Sequence, residues 1–422
     1  MLNRLQAPEI RLPDQLTLSQ AEHHTLPGNI PLIIIKAGSQ DVVKIEFVFT
    51  AGTITSNQPL LASAANELLD EGTSKHSAAE LAELLDYYGA YFQTDNGPDF
   101  ASVTLYSLNK FTKDTLPYFA EAMTDPAYPE KEIQTFRVQG KQRLAVGMNK
   151  VDFLARRNFM QALFGDSHPL GRITAPEHYD QLSTEKFTAF HHAQYLHGLR
   201  AVIVSGQPDD QTLKTIEEII SQSKFSLGTA GEVDVATPSP QKKLVVKEDA
   251  IQSAIRIGRK MFNRNHEDFF PFTILNTILG GYFGSRLMSN IREDKGYTYG
   301  IGSGLVSHLH DGYFFISTEV GADVRIAAVQ EIYKELQRLR EELIPEEELL
   351  LVRNYMIGGF QRSIDGPFSQ ADRHKVICLH ELPHDYYTRY LDIIRSVTPT
   401  TLKSLAQKYL QEADLIEIVA GK

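Results

Sequence analysis

The stretch Leu182–Gly206, LSTEKFTAFHHAQYLHGLRAVIVSG, recurs in altered form as Val397–Gly421, VTPTTLKSLAQKYLQEADLIEIVAG. The closing glycines lie 215 residues apart (421 − 206). Each copy reads as an amphipathic helix, a turn and a short β-branched run, Ala201–Val204 in one and Leu415–Val419 in the other. A second pair keeps nearly the same distance. Tyr128-Pro129-Glu130-Lys131-Glu132-Ile133 resembles Ile344-Pro345-Glu346-Glu347-Glu348-Leu349, with the prolines 216 apart (345 − 129). Both read as helix starts, with proline near the first turn and carboxylates facing the positive end of the helix dipole. Two matches at almost one offset describe one ancestral unit written twice.

That duplication fits the length. A chain of 422 residues exceeds the roughly 100–200 of one domain. Ser226–Gln241, SLGTAGEVDVATPSPQ, is rich in Gly, Ser, Thr and Pro without helical period and reads as the linker. The expected domains are therefore 1–225 and 242–422, joined by 226–241. In the first, Ile30–Ile35, Val42–Thr50 and Ala101–Tyr106 read as strands, and Phe111–Met123 as a helix. Ser77-Ala78-Ala79-Glu80 is a capping box opening a helix that Gly89 can close. The second repeats the order with a helix at Phe270–Leu279, a strand at Gly312–Glu319 and a helix at Val324–Glu341. Without strict βαβ alternation, the expected class is α+β: two homologous domains, each a mostly antiparallel sheet with helices on one face.

Composition narrows the function. The 53 Asp and Glu outweigh 42 Lys and Arg, a net charge of −11 that repels a phosphate backbone, so nucleic acid is not an expected partner. No stretch approaches the roughly 20 continuous apolar residues of a spanning helix. The single cysteine, Cys378, rules out an intramolecular disulfide framework and a thiolate-rich metal site. The opening residues MLNRLQAPEIRLPDQL lack the apolar centre of a secretory signal, so the expected compartment is cytoplasmic, or periplasmic if a signal has been removed.

The most informative segment is Gly280-Gly281-Tyr282-Phe283-Gly284-Ser285-Arg286-Leu287, followed by Asn290-Ile291-Arg292-Glu293-Asp294-Lys295-Gly296-Tyr297-Thr298-Tyr299. With Asn276, the duplication and Gly72-Thr73, it resembles the insulinase, pitrilysin and mitochondrial-processing-peptidase family of inverted zinc peptidases. The resemblance runs from about Gly28 onward and implies a duplicated fold forming half of a clamshell. It also implies a zinc motif, His-x-x-Glu-His, on a helix of the first domain, in which the glutamate activates zinc-bound water. Here the corresponding positions are Ser63, Asn66 and Glu67. A serine hydroxyl does not readily deprotonate to bind zinc, and asparagine has no basic site to accept a proton from water. The family's third ligand is a glutamate on a later helix, but 133–151 contains no acidic residue. No metal is expected in this chain.

A competing signal is His380-Glu381-Leu382-Pro383-His384, a literal forward zincin match. Pro383 removes a backbone donor and biases Leu382 from helical angles, so the segment reads as a helix ending near Leu379, a turn, and a helix at Tyr386–Ile394. His191, His192 and His197, at the end of an amphipathic helix, read as solvated side chains or dipole partners.

Arg292 and Tyr299, seven apart, match the family's arginine–tyrosine pair. The resemblance implies that they hydrogen-bond the substrate carbonyl beside the zinc. The expected function is thus a non-catalytic, zinc-free subunit of a heterodimeric metallopeptidase. A homologous partner would bear the zinc, and a peptide would be the substrate. The alternatives are an inert homodimeric peptide-binding or assembly scaffold, and an independent zincin using His380 and His384.

Overall fold

The computed structural model describes residues 16–229, 231 and 239–422; residues 230 and 232–238 of the expected linker lie outside the described residues. Strands β1 (Glu22–Leu26), β2 (Ile30–Lys36), β3 (Val42–Phe49), β4 (Tyr91–Asn96), β5 (Ala101–Leu108) and β6 (Leu199–Gly206) form one sheet, ordered β1-β2-β6-β3-β5-β4. Strands β7 (Lys242–Val246), β8 (Gln252–Met261), β9 (Ile301–Ser307), β10 (Gly312–Gly321) and β11 (Ile416–Gly421) form the second, ordered β7-β11-β8-β10-β9. Apart from β1, the two orders correspond strand for strand. The one parallel pairing falls in the same place in each, β2 with β6 and β7 with β11. The α+β class and the repetition read from the sequence are both present in this topology.

Local signals account for the element boundaries. The Ser77 side chain accepts from Glu80 N–H, and the Glu80 carboxylate accepts from Ser77 N–H, completing the capping box of the helix Ala78–Tyr87. Pro129 and Pro345 are the N-caps of the helices Glu130–Met148 and Glu346–Arg362, and each first turn carries acidic residues.

The helices of each half pack on one face of their own sheet. On β3, Val43, Ile45, Phe47 and Phe49 enter that core, as alternation in a strand requires. In the other half, Ile255 and Ile257 of β8 do the same against Phe272, Leu336 and Val352.

The second face of each sheet is also covered, and by a helix of the opposite half. Ile33, Ile35, Val48, Ala201 and Ile203 of the first sheet pack on Ala371 and Leu379 of the helix Pro367–Leu379. In return, Val151, Leu154 and Ala155 of the helix Val151–Phe164 pack on Ala254 and Ala420, while Phe159, Leu163 and Phe164 pack on Ile416 and Ile418. These two helices are themselves counterparts in the repeat, starting 216 residues apart (367 − 151).

Charges are buried in this exchange. Lys44 and Glu46 of β3 face the incoming helix: Lys44 Nζ lies 3.2 Å from Glu46 and 2.9 Å from Asp372, and Lys375 Nζ lies 2.7 Å from Glu46 and 3.5 Å from Asp372. Burial disfavours charge on Lys44, but Glu46 and Asp372 outweigh it and hold its pKa above the usual lysine value. This contribution is present at neutral pH and is lost only as alkaline pH passes the folded-state value. Glu46→Ala would leave two lysines facing one carboxylate and should destabilise the protein by about 3 kcal/mol in urea unfolding. A loss below about 1 kcal/mol would show that the network adds nothing to the packing around it.

Candidate functional site

The helix Leu61–Glu67 follows β3 and carries the three positions at which the family's zinc motif falls. Its inner face is small and apolar, with Ala62, Ala64 and Ala65 buried. Ser63 Oγ donates back to Leu60 O at 3.1 Å. Asn66 is buried, and its amide donates to the Tyr195 hydroxyl at 3.1 Å. Tyr195 is buried in turn, which raises its pKa and keeps the phenol neutral. Glu67 is exposed, and its nearest cation is Arg143 Nη2 at 3.6 Å, on the helix Glu130–Met148. A guanidinium therefore stands beside the only carboxylate of the three positions, on the helix from which the family's third ligand would come. The residues present do not fit a zinc ion. Among the described residues, no group of three His, Cys, Asp or Glu side chains converges as a metal ion requires.

The forward motif is a turn. The helix Pro367–Leu379 ends one residue before His380, Glu381 has a positive φ of 51°, and the next helix is Tyr386–Ser396. Glu381 pairs with Arg200 at 2.5 Å. The His380 ring lies edge-on to Phe100 at 6.4 Å, whereas His384 meets His23 at 5.7 Å. The two imidazoles thus have different neighbours. Burial, aided by the charge of Arg264, lowers the His380 pKa to about 4.

The histidine cluster expected at the end of the helix Thr184–His191 needs a correction. His191 is not solvated: it is buried, stacks on Tyr195 at 5.4 Å, and its Nε2 donates to Met123 O at 2.8 Å. The π-helical turn His192–Leu196 that continues the helix carries Tyr195 under this ring, an irregularity that periodicity did not show.

The glycine-rich segment begins in a second π-helical turn, Thr277–Gly281, against β9. A Cβ on Gly280 would come within 2.7 Å of Ser303 N, so this close approach of backbones requires glycine. Two polar anchors hold the chain beyond it. Arg286 donates from Nε and Nη2 to Glu348 at 2.9 and 2.8 Å. The Asn290 amide donates to Glu331 and Glu335 at 2.9 and 2.7 Å. Gly296, with φ of 65°, then turns the chain towards β9.

Arg292 and Tyr299 are brought together, but through the backbone. Arg292 Nε donates to Tyr299 O at 3.0 Å, its Cζ stands 4.7 Å from the Phe283 ring centre, and Glu293 lies 3.7 Å from Nη1. Tyr299 is 95% exposed and Phe283 64%, so both rings stand in solvent. Phe283 was not singled out from the sequence, although it lies within the matched motif. The result is a guanidinium fixed in place between two exposed aromatic residues.

These features define a duplicated α+β fold of two sheets, with Ser63, Asn66 and Glu67 after the first sheet's β3 and Arg292 and Tyr299 in the second half. Residues 181–356 match the family model described as "Peptidase M16 inactive domain". The chain is 24% identical over 362 residues to "Uncharacterized zinc protease YmxG" of Bacillus subtilis (strain 168), covering 83% of this chain and 85% of that protein. It is 24% identical over 326 residues to "Non-peptidase homolog YmxG" of Helicobacter pylori, covering 74% of each. Among solved structures, the M16 inactive domain of Pseudomonas fluorescens superposes with a TM-score of 0.87 at 20% identity, covering 95% of this chain and 98% of that one. The resemblance drawn from the sequence holds: residues 181–356 match the M16 inactive-domain pattern, and most of the chain is similar to proteins named as M16-type proteases or their non-peptidase homologues. None of its described helices is long and apolar enough to cross a membrane.

A pH dependence arises from His380. Its lowered pKa means that unfolding takes up a proton between about pH 6.5 and 4, so its contribution is present above pH 6.5 and lost as the pH falls to about 4. His380→Gln should flatten the stability profile in that window, removing roughly 2 kcal/mol of its fall. An unchanged slope in urea titrations across that range would disprove this role.

Proposed function

We propose that this chain is the zinc-free subunit of a heterodimeric M16-type metallopeptidase, and that Arg292 and Tyr299 act on a peptide held at a partner's zinc site. The observation that carries this reading is the contrast between the two halves. The motif positions of the first half hold one carboxylate, Glu67, beside the Arg143 guanidinium, with no second ligand and no base at Ser63 and Asn66, whereas Arg292 is tied through Nε to the backbone of an exposed tyrosine. With Nε engaged by the backbone, the two Nη groups carry the remaining donors. A guanidinium held in this way can donate to a peptide carbonyl and to the oxyanion formed from it without the cost of reorganising. The exposed Phe283 and Tyr299 rings suit a face covered by another chain.

A second reading, an inert homodimeric peptide-binding or assembly scaffold, draws support from the H. pylori relative named as a non-peptidase homologue. Reconstitution separates the two. Mixing this chain with a homologous subunit bearing an intact inverted motif, obtained by pull-down from the native source, should give peptidase activity that neither chain has alone. Arg292→Ala should then lower kcat/KM about a hundredfold, the usual effect of removing one oxyanion donor, with assembly unchanged by gel filtration. Full turnover by the variant would reject the assignment of Arg292, and an inactive mixture would favour the scaffold.

A further inference from the structure

Two of the cavities in the second half differ in electrostatic character. The larger, about 780 Å³, is lined by arginines that are already matched: Arg286 by Glu348 and Arg338 by Glu335. The smaller, about 400 Å³, is lined by Arg264, from the loop after β8, and Arg373, from the helix Pro367–Leu379, with no Asp or Glu in its wall. Neither guanidinium has a carboxylate within ion-pair distance among the described residues. In a protein with 53 acidic side chains, two unpaired arginines in one cleft call for an explanation. Both are partly buried, so each guanidinium has lost some of its hydration without a carboxylate to replace it.

Half of the remaining lining residues are aromatic. Phe270 packs on Tyr386 and Tyr390 at 4.6 and 5.2 Å, and Phe360 on Tyr387 and Tyr390 at 5.5 and 5.8 Å. Arg373 Cζ lies 5.6 Å from the Tyr387 ring. Burial pushes the Tyr390 phenol up to about 12, so it stays neutral and cannot supply the missing anion.

We infer that this cleft binds a carboxylate carried on an aromatic or large apolar body, as at the free C-terminus of a peptide. The aromatic wall takes the apolar body, and Arg264 and Arg373 take the carboxylate, whose planar oxygens match a guanidinium fork. A free amino acid fits less well, because its ammonium would enter a cleft already holding two cations. This site lies apart from Arg292 and Tyr299, neither of which lines it, and the inference does not rest on the reading of that pair.

The test is calorimetric titration of the full chain with N-acetyl-Ala-Phe, its C-terminal amide and 3-phenylpropionate. The acid dipeptide should bind saturably, and the amide should bind roughly tenfold or more weakly. Tighter binding of the dipeptide than of phenylpropionate would identify a peptide end, and equal binding an aromatic carboxylate at large. Arg264→Gln and Arg373→Gln should each weaken the acid by roughly tenfold while leaving the amide unaffected, with circular dichroism reporting the fold. Equal affinity of acid and amide for the unaltered protein, or no saturable binding at millimolar concentration, would overturn the inference whatever the variants do.

Discussion

Each sheet in this protein has two apolar faces and only one set of helices of its own. The helices Val151–Phe164 and Pro367–Leu379 resolve this by crossing to the opposite half. Without the second of them, Ile33, Ile35, Val48 and Ile203 would face water, at roughly 1.5–3 kcal/mol for each large aliphatic side chain. Because the helices exchanged are counterparts in the repeat, the same solution is used twice, and neither half can be covered without the other. The Pro367–Leu379 helix serves two neighbours at once. Asp372 and Lys375 meet Lys44 and Glu46 on the first sheet, while Arg373 lines a cleft of the second half. The exchange that joins the halves therefore also positions a charged wall of that cleft.

The sequence made legible whatever depended on neighbours in the chain. Capping at Ser77–Glu80, the proline-led starts at Glu130 and Glu346, and the turn at Pro383 are all local events, and each appears where its residues demand. The duplicated topology could be read because both copies kept their helix-turn-strand ending. The exchanged helices could not, because amphipathicity shows that a face is buried without showing against what. Lys44 and Glu46 were hard to place from the sequence for a related reason. Charges alternating with Val, Ile and Phe mimic a strand with one wet face, whereas here the charges are buried against those of a distant helix.

The candidate site was legible to a similar depth. Its residue types argued against zinc at these positions, since Ser63 is a poor ligand, Asn66 cannot act as a base and Glu67 stands alone as a carboxylate. That Arg292 would bond the carbonyl of Tyr299 and not its phenol, or that Phe283 would lie over the guanidinium, required the three-dimensional path of the loop. The π-helical turns that set this path arise from packing, at Gly280 against Ser303, and leave no periodic trace.

The two copies have diverged in complementary directions, and packing shows how. After β3, the helix Leu61–Glu67 buries only alanines and Asn66, and a neutral Tyr195 sits against that asparagine. Such a site needs no metal to compensate a cluster of carboxylates or imidazoles, so the first half is stable as it stands. After β8, the corresponding helix and the π-helical turn that continues it bury Phe272, Ile274, Leu275, Ile278 and Leu279 together with the polar Asn276 and Thr277. The chemistry-bearing groups of the second half are carried beyond it, with Arg292 on the π-helical stretch Met288–Asp294 and Phe283 and Tyr299 on the turns flanking it, held by Arg286 and Asn290 against the helices behind. Pinning matters because an exposed arginine would otherwise lose side-chain entropy on meeting a partner. Arg292, already tied to the backbone, has given up much of that freedom in the isolated chain, which is the property expected of a group that acts on something outside it.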